Sequence, residues 1–201
     1  MKEQESDIRI WEAFAEKIGG EYIPRKYWNS DRTLFHYKNF NIYIDYFTYY
    51  TSGEASLSKT FTRVVIPYKS YDDFQFNIYE DELIFKIAKI FGFQDVKIGN
   101  EEFDKKYIIK TNNEQKLKNI FNSTTLLKKF ENFENASLLV SKKYGVWEEE
   151  LPENEYELSF VLNYHVKDLA TLIQSKDFIT EFFDRFKDIV RIEAPTYLRK
   201  L

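Results

Sequence analysis

Gly92-Phe93-Gln94-Asp95-Val96-Lys97-Ile98-Gly99-Asn100-Glu101-Glu102-Phe103-Asp104-Lys105-Lys106-Tyr107-Ile108-Ile109-Lys110 divides this chain. Before it the sequence mostly alternates apolar and polar residues, the period of strands. After it, helical spacings take a larger share. Within the stretch, Gly92 stops a preceding helix, residues 95–98 read as brief and extended, and Gly99-Asn100 reads as a turn. A strand follows over residues 107–111.

Going towards the C-terminus, Asn112 or Asn113 caps a helix over residues 114–121, and Ser123 or Thr124 opens a second, with Leu126, Leu127 and Phe130 on its apolar side. Strands are expected over 136–141, 144–150 and 156–164. The last has the cleanest alternation in the chain, with Tyr156, Leu158, Phe160, Leu162 and Tyr164 on one face. A long closing helix is expected over 167–192, interrupted near Ser175 and ended by Pro195.

Going towards the N-terminus, residues 83–91 read as a short helix. Ahead of it lie strands over 33–37, 40–49, 59–68 and 72–79, with a tight turn at Lys38-Asn39, a polar loop over 51–56 and a stop around Pro67. Short links favour pairing of sequential strands, so these four are expected to form an antiparallel meander. Residues 7–18 form a helix whose Ile8, Trp11, Phe14, Ala15 and Ile18 share one face, stopped by Gly19-Gly20. The fold class is therefore α+β: an N-terminal helix and an antiparallel meander, then a β-β-α-α-β-β-β-α half packed with it. Residues 1–201 read as a single compact domain, strand-rich over 1–91 and helix-rich over 92–201.

Composition narrows the function classes. Apolar residues are 43% and charged residues 31% of 201, a folded rather than a disordered balance. With 19 Phe and 15 Tyr, rings dominate the core. A net charge of −4 gives no strong nucleic-acid signal, because phosphate binding needs clustered Lys and Arg. The absence of Cys excludes disulfides, thiolate catalysis and Cys-ligated metals. No apolar run is long enough for a membrane span, and Met1-Lys2-Glu3-Gln4-Glu5-Ser6-Asp7 is too polar for a signal peptide. The simplest address is cytoplasmic. No cofactor signature is present: the glycines never form a phosphate cradle ahead of a helix.

Three groups of residues carry the functional candidates. Asp95, Asp104 and Lys106 have the carboxylate and D-x-K layout of a metal-dependent nuclease or other hydrolase, in which two carboxylates hold Mg²⁺ and the lysine sits beside the attacking water. The bland alternative makes Asp104 a turn or cap residue. Tyr43, Asp45, Phe47 and Tyr49 alternate with Ile42 and Ile44. If the isoleucines face the core, a ring-rich surface containing Asp45 is left for a partner; otherwise the sheet is covered on both sides, for example by the first and last helices. Glu148, Glu149, Glu150 and Glu153, with Glu155 and Glu157, form an acidic hairpin that reads as a contact for a basic partner or as a solvated face. His36 and His165 each lack a second ligand at metal-binding spacing.

The pattern Phe103-Asp104-x-x-Tyr107-x-Ile109, followed by Thr111-Asn112-Asn113-Glu114 and helices through Leu126-Leu127-x-x-Phe130, resembles an uncharacterised bacterial family. Its members carry an F-D-x-x-[FY]-x-[IV] strand, paired helices, a hairpin and a closing helix. The resemblance spans about residues 92–192. It implies the architecture of that half and no activity or site residue. Taken together, the sequence reads as a non-enzymatic module binding a protein partner or small ligand, with self-association compatible. The metal-dependent hydrolase is the alternative.

Overall fold

The computed structural model describes residues 2–24, 31–50, 58–80, 93–142 and 150–195, the side chains of 2–8, 49 and 50 excepted. In chain order the elements are α1 (Lys2–Ile18), β1 (Glu21–Ile23), β2 (Arg32–Tyr37), β3 (Phe40–Tyr50), β4 (Ser58–Lys69), β5 (Phe76–Glu80) and β6 (Gln94–Asp95). They continue with α2 (Glu101–Lys106), β7 (Tyr107–Thr111), α3 (Glu114–Ile120), α4 (Thr124–Glu131), β8 (Ala136–Lys142), β9 (Glu155–Leu162) and α5 (Leu169–Ile189). This is an α+β fold. The expected helix over 83–91, the loop over 51–56 and, save Glu150, the strand over 144–150 lie outside the described residues.

Local chemistry sets the element boundaries. Gly19, at φ 66°, ends α1 in the left-handed conformation. Gly20 follows it so closely packed that a Cβ there would lie 2.8 Å from the Leu34 carbonyl oxygen. Lys38, at φ 55°, makes the expected tight turn between β2 and β3. The Asn113 side chain accepts from the Lys116 amide and caps α3, and the Asp168 side chain accepts from the Thr171 amide and caps α5. Ser175 does not interrupt α5: its buried hydroxyl donates to the Thr171 carbonyl at 2.7 Å, inside the helix. β4 continues through Pro67 to Lys69, because Pro67 lies beyond the last β3 pair, Tyr43 with Val65, where a missing N–H breaks no ladder to β3.

The described strands form one antiparallel sheet in the order β1-β2-β3-β4-β9-β8-β5-β7-β6. Three of the four strands expected in the meander, β2, β3 and β4, do pair in sequence, with β1 added at the edge beside β2, but β5 does not complete it. β9 occupies the place beside β4, in register from Thr62–Leu162 to Lys69–Glu155, and β5 pairs with β8 and β7 instead. The cause is burial: all eight residues of β9 are buried, so this strand needs a neighbour on each side, which the edge cannot supply. The β8–β9 pair thereby joins the two sequence halves in one sheet.

One face of that sheet carries a single apolar cluster. Ile42, Ile44, Val64, Ile66, Leu138, Val140, Leu158 and Phe160 meet Trp11 and Phe14 of α1, Phe103 of α2, Leu117 of α3, Phe130 of α4 and Phe178, Phe182 and Phe186 of α5. Rings interlock through it, with Phe160 to Phe178 at 4.9 Å and Phe133 to Phe160 at 5.0 Å between centroids. The opposite face of the central strands is buried as well. Tyr43, Val65, Leu139 and Val161 lie there beside Asp45, Arg63, Glu157 and Ser159.

Candidate functional site

The alternation of β3 places Tyr43, Asp45 and Phe47 on the face opposite Ile42 and Ile44, as the sequence implies. Their exposure differs sharply. Tyr43 is 3% exposed and Asp45 0%, whereas Phe47 is 39% exposed. The expectation that Tyr43 and Asp45 belong to an exposed surface is corrected here. The cover does not come from the first and last helices either, since α1 and α5 pack on the other face. Tyr49 is in β3, and its side chain lies outside the described residues.

Asp45 is buried because it is matched. Arg32, Asp45 and Arg63 stand in line across β2, β3 and β4. Arg63 donates from Nε to Asp45 Oδ1 at 2.8 Å and from Nη2 to Oδ2 at 3.0 Å, the bidentate fork that fits a carboxylate. Arg32 Nη2 lies 3.6 Å from Oδ2. Ring faces receive both guanidinium groups: Arg32 sits 5.3 Å from the centre of Tyr43, and Arg63 sits 4.9 Å from that of Phe47. Asp45 thus orients Arg63, and Arg63 backs the exposed Phe47 ring. The register explains why Phe47 emerges: β2 pairs with β3 only as far as Asp45, and β3 runs on beyond it. The arginines were missed in the sequence, although an aspartate inside an apolar strand calls for a buried cation.

The hydrolase candidates are not brought together by shared ligation; each has its own local partner. Asp104 Oδ1 and Oδ2 accept from the amides of Ile98 and Gly99 at 2.9 and 3.0 Å, so this carboxylate closes the turn that precedes α2. Asp95, on the edge strand β6, pairs with Lys110 of β7 at 3.4 Å. Lys106 lies 3.5 Å from Glu80 of β5. Burial works against the charge of Lys106, but the Tyr107 hydroxyl and Glu80 more than restore it and hold its pKa above the ordinary lysine value. Among the described residues no group of three His, Asp or Glu side chains is placed to hold a metal ion.

The acidic hairpin divides. Glu148 and Glu149 lie outside the described residues, while Glu150 and Glu153 are exposed. Glu155 and Glu157 belong to β9 and are 4% and 0% exposed, so they are not part of a solvated acidic tip. His36 is exposed with Nδ1 2.7 Å from Asn41 Oδ1, and the His165 ring packs 4.7 Å from that of Tyr46. The Phe103-Asp104 motif divides too: these two residues are in α2, and only Tyr107 to Ile109 are in β7.

No family model and no curated protein matches the chain. Among solved structures it is similar to the mycobacterial trehalose monomycolate transport factor A, TtfA, with a TM-score of 0.54 and 10% sequence identity, covering 89% of this chain and 93% of that one. At that identity the likeness is one of fold. No helix among the described residues is long and apolar enough to cross a membrane.

Proposed function

We propose that this protein is a non-enzymatic interaction module that recognises a protein partner through the surface centred on Phe47. The observation that carries the reading is a 39% exposed phenylalanine whose ring is backed at 4.9 Å by a buried arginine, itself fixed by a fully buried aspartate. A ring held in place before binding loses little entropy on docking, and such rings are typical anchors of interfaces. The chain shares its fold with a protein named as a transport factor, a name consistent with this reading. The separate local pairings of Asp95, Asp104 and Lys106 give the hydrolase alternative no support.

The test is affinity capture with the intact chain, followed by measured affinity for each retained protein. Phe47→Ala is expected to weaken a specific partner by about 2 kcal/mol, roughly thirtyfold. Lys105→Ala, on the exposed side of α2, is the control and should leave affinity unchanged. If every retained partner binds the Phe47→Ala protein as tightly as the parent, the reading is wrong.

A further inference from the structure

A depression of about 360 Å³ lies where β4 ends, lined by Lys69, Ser70, Tyr71, Asp72, Arg191 and Glu193. Its floor is built from three chain segments tied by hydrogen bonds. The Lys69 and Glu193 amides donate to each other's carbonyls at 2.9 Å, and the Ser70 amide donates to the Asn154 carbonyl at 2.9 Å. The Ser70 hydroxyl, on a residue 2% exposed, donates to the Arg191 carbonyl at 2.9 Å and accepts from the Asp72 amide at 3.0 Å. At the rim, Tyr71 is 73% exposed, the more open of the two exposed large apolar side chains among the described residues. Lys69 Nζ lies 5.5 Å from the centre of its ring.

The charges at this place are unevenly matched. Asp72 is held by Lys116 of α3. Among the described residues neither Lys69 nor Arg191 makes an ion pair, and Glu193 is the remaining carboxylate of the lining. Two cations and one anion are therefore left at a rigid depression, in a chain whose net charge is −4. One negative charge matches this set, while a dianion would meet Glu193. A guanidinium fork suits a carboxylate geometrically, an ammonium adds an unoriented second charge, and the exposed phenol offers a flat face for stacking.

We propose that this depression binds a monocarboxylate with a flat apolar body, Arg191 and Lys69 taking the carboxylate and the Tyr71 ring the body. Two sources present that chemistry, a free aryl acid and the aromatic C-terminal residue of a peptide. The site does not depend on the Phe47 surface. Its preformed floor means that binding orders few groups beyond the lysine, arginine and tyrosine side chains.

The experiment is a ¹⁵N–¹H titration of the full chain with benzoate, benzylamine, inorganic phosphate and a short peptide ending in phenylalanine, as free acid and as amide. Benzoate is expected to shift residues 69–72 and 191–193 saturably, at a dissociation constant on the order of 1 mM for so small a ligand. Arg191→Gln and Lys69→Gln should each weaken it at least fivefold, as should Tyr71→Ala, with the remaining spectrum unchanged. Peptide acid binding tenfold tighter than benzoate, with the amide inactive, supports a chain terminus as the source. Equal or weaker peptide binding supports a free aryl acid. Benzylamine or phosphate binding as well as benzoate, or no saturable shift by benzoate at these residues, overturns the proposal.

Discussion

Replacing Asp45 by alanine should be among the most damaging single changes in this protein. The carboxylate is 0% exposed and accepts two hydrogen bonds from Arg63, at 2.8 and 3.0 Å, with Arg32 3.6 Å away. Removing it takes a buried carboxylate away from two guanidinium groups on residues 3% and 5% exposed. Breaking one side of a buried pair costs about 3–5 kcal/mol, a large share of the roughly 5–15 kcal/mol that holds a domain together. Asp45→Asn keeps the volume and loses the charge, so it should cost nearly as much. The double variant Asp45→Ala, Arg63→Met removes both members of the bidentate pair and should be less destabilised than the two single losses predict, with a coupling of about 2 kcal/mol or more. Guanidinium unfolding followed by circular dichroism measures each value, with an unchanged m-value showing that the same surface is exposed. A loss below about 1 kcal/mol for Asp45→Ala, or strict additivity in the double variant, would refute the idea that this pair is a buried, desolvated unit.

The two glycines that end α1 should respond differently to substitution. At Gly20 a Cβ would meet a backbone oxygen at 2.8 Å, so Gly20→Ala is expected to cost about 1–3 kcal/mol and Gly20→Asn no less. At Gly19 there is open space but φ is 66°, so Gly19→Ala should cost about 1 kcal/mol and Gly19→Asn less, since asparagine accepts that conformation; equal costs at both positions in denaturant unfolding would contradict the packing argument. Asp184 should contribute to acid sensitivity: burial works against its charge, but hydrogen bonds from Lys38 and from the Tyr37 hydroxyl more than compensate and hold its pKa below the ordinary carboxylate value. A lowered folded pKa means that the contribution is complete above about pH 4 and fades as pH falls through the folded value. The difference in melting temperature between the parent and Asp184→Asn should therefore shrink towards pH 2, and a difference constant from pH 7 to 2 would count against it.

What the sequence disclosed was local. The strand over 107–111 has the expected bounds, and the helices α3 and α4 begin at or within one residue of the cap positions Asn113 and Ser123. Those features depend on residues a few positions apart. The place of β9 was hidden because pairing partners far apart in sequence leave no local trace, and its Glu157 and Ser159, which read as outward-facing, are fully buried. α2 was missed for another reason. Six residues are too few for a helical stripe, although Asn100 as cap, Glu101 and Glu102 in the first turn and Lys105 and Lys106 in the last were a readable signature of charge at helix ends. For the candidate site, alternation located Phe47 correctly on the face away from the isoleucines. It could not tell that Asp45 would face Arg63, because register across two strands sets that meeting.

That register also separates the two surfaces. Phe47 stands opposite Phe61, near the start of β4, and Tyr71 follows Lys69 at its end. The eight residue steps from Phe61 to Lys69, at about 3.3 Å each, place the two regions on the order of 26 Å apart along the sheet. Phe47 depends on the buried Asp45–Arg63 pair within the ladder, whereas the Tyr71 depression depends on the backbone closure of Lys69, Ser70, Asn154 and Glu193. No side chain is shared between these supports. Sites so far apart with no common partner bind independently unless a two-state element links them. The strand joining them, β4, is buried from Phe61 to Tyr68 and paired over its whole length to β3 or β9, a rigid arrangement rather than a bistable one. Occupation of one surface should thus leave the affinity of the other unchanged, and the loss of one can be assigned without reference to the other.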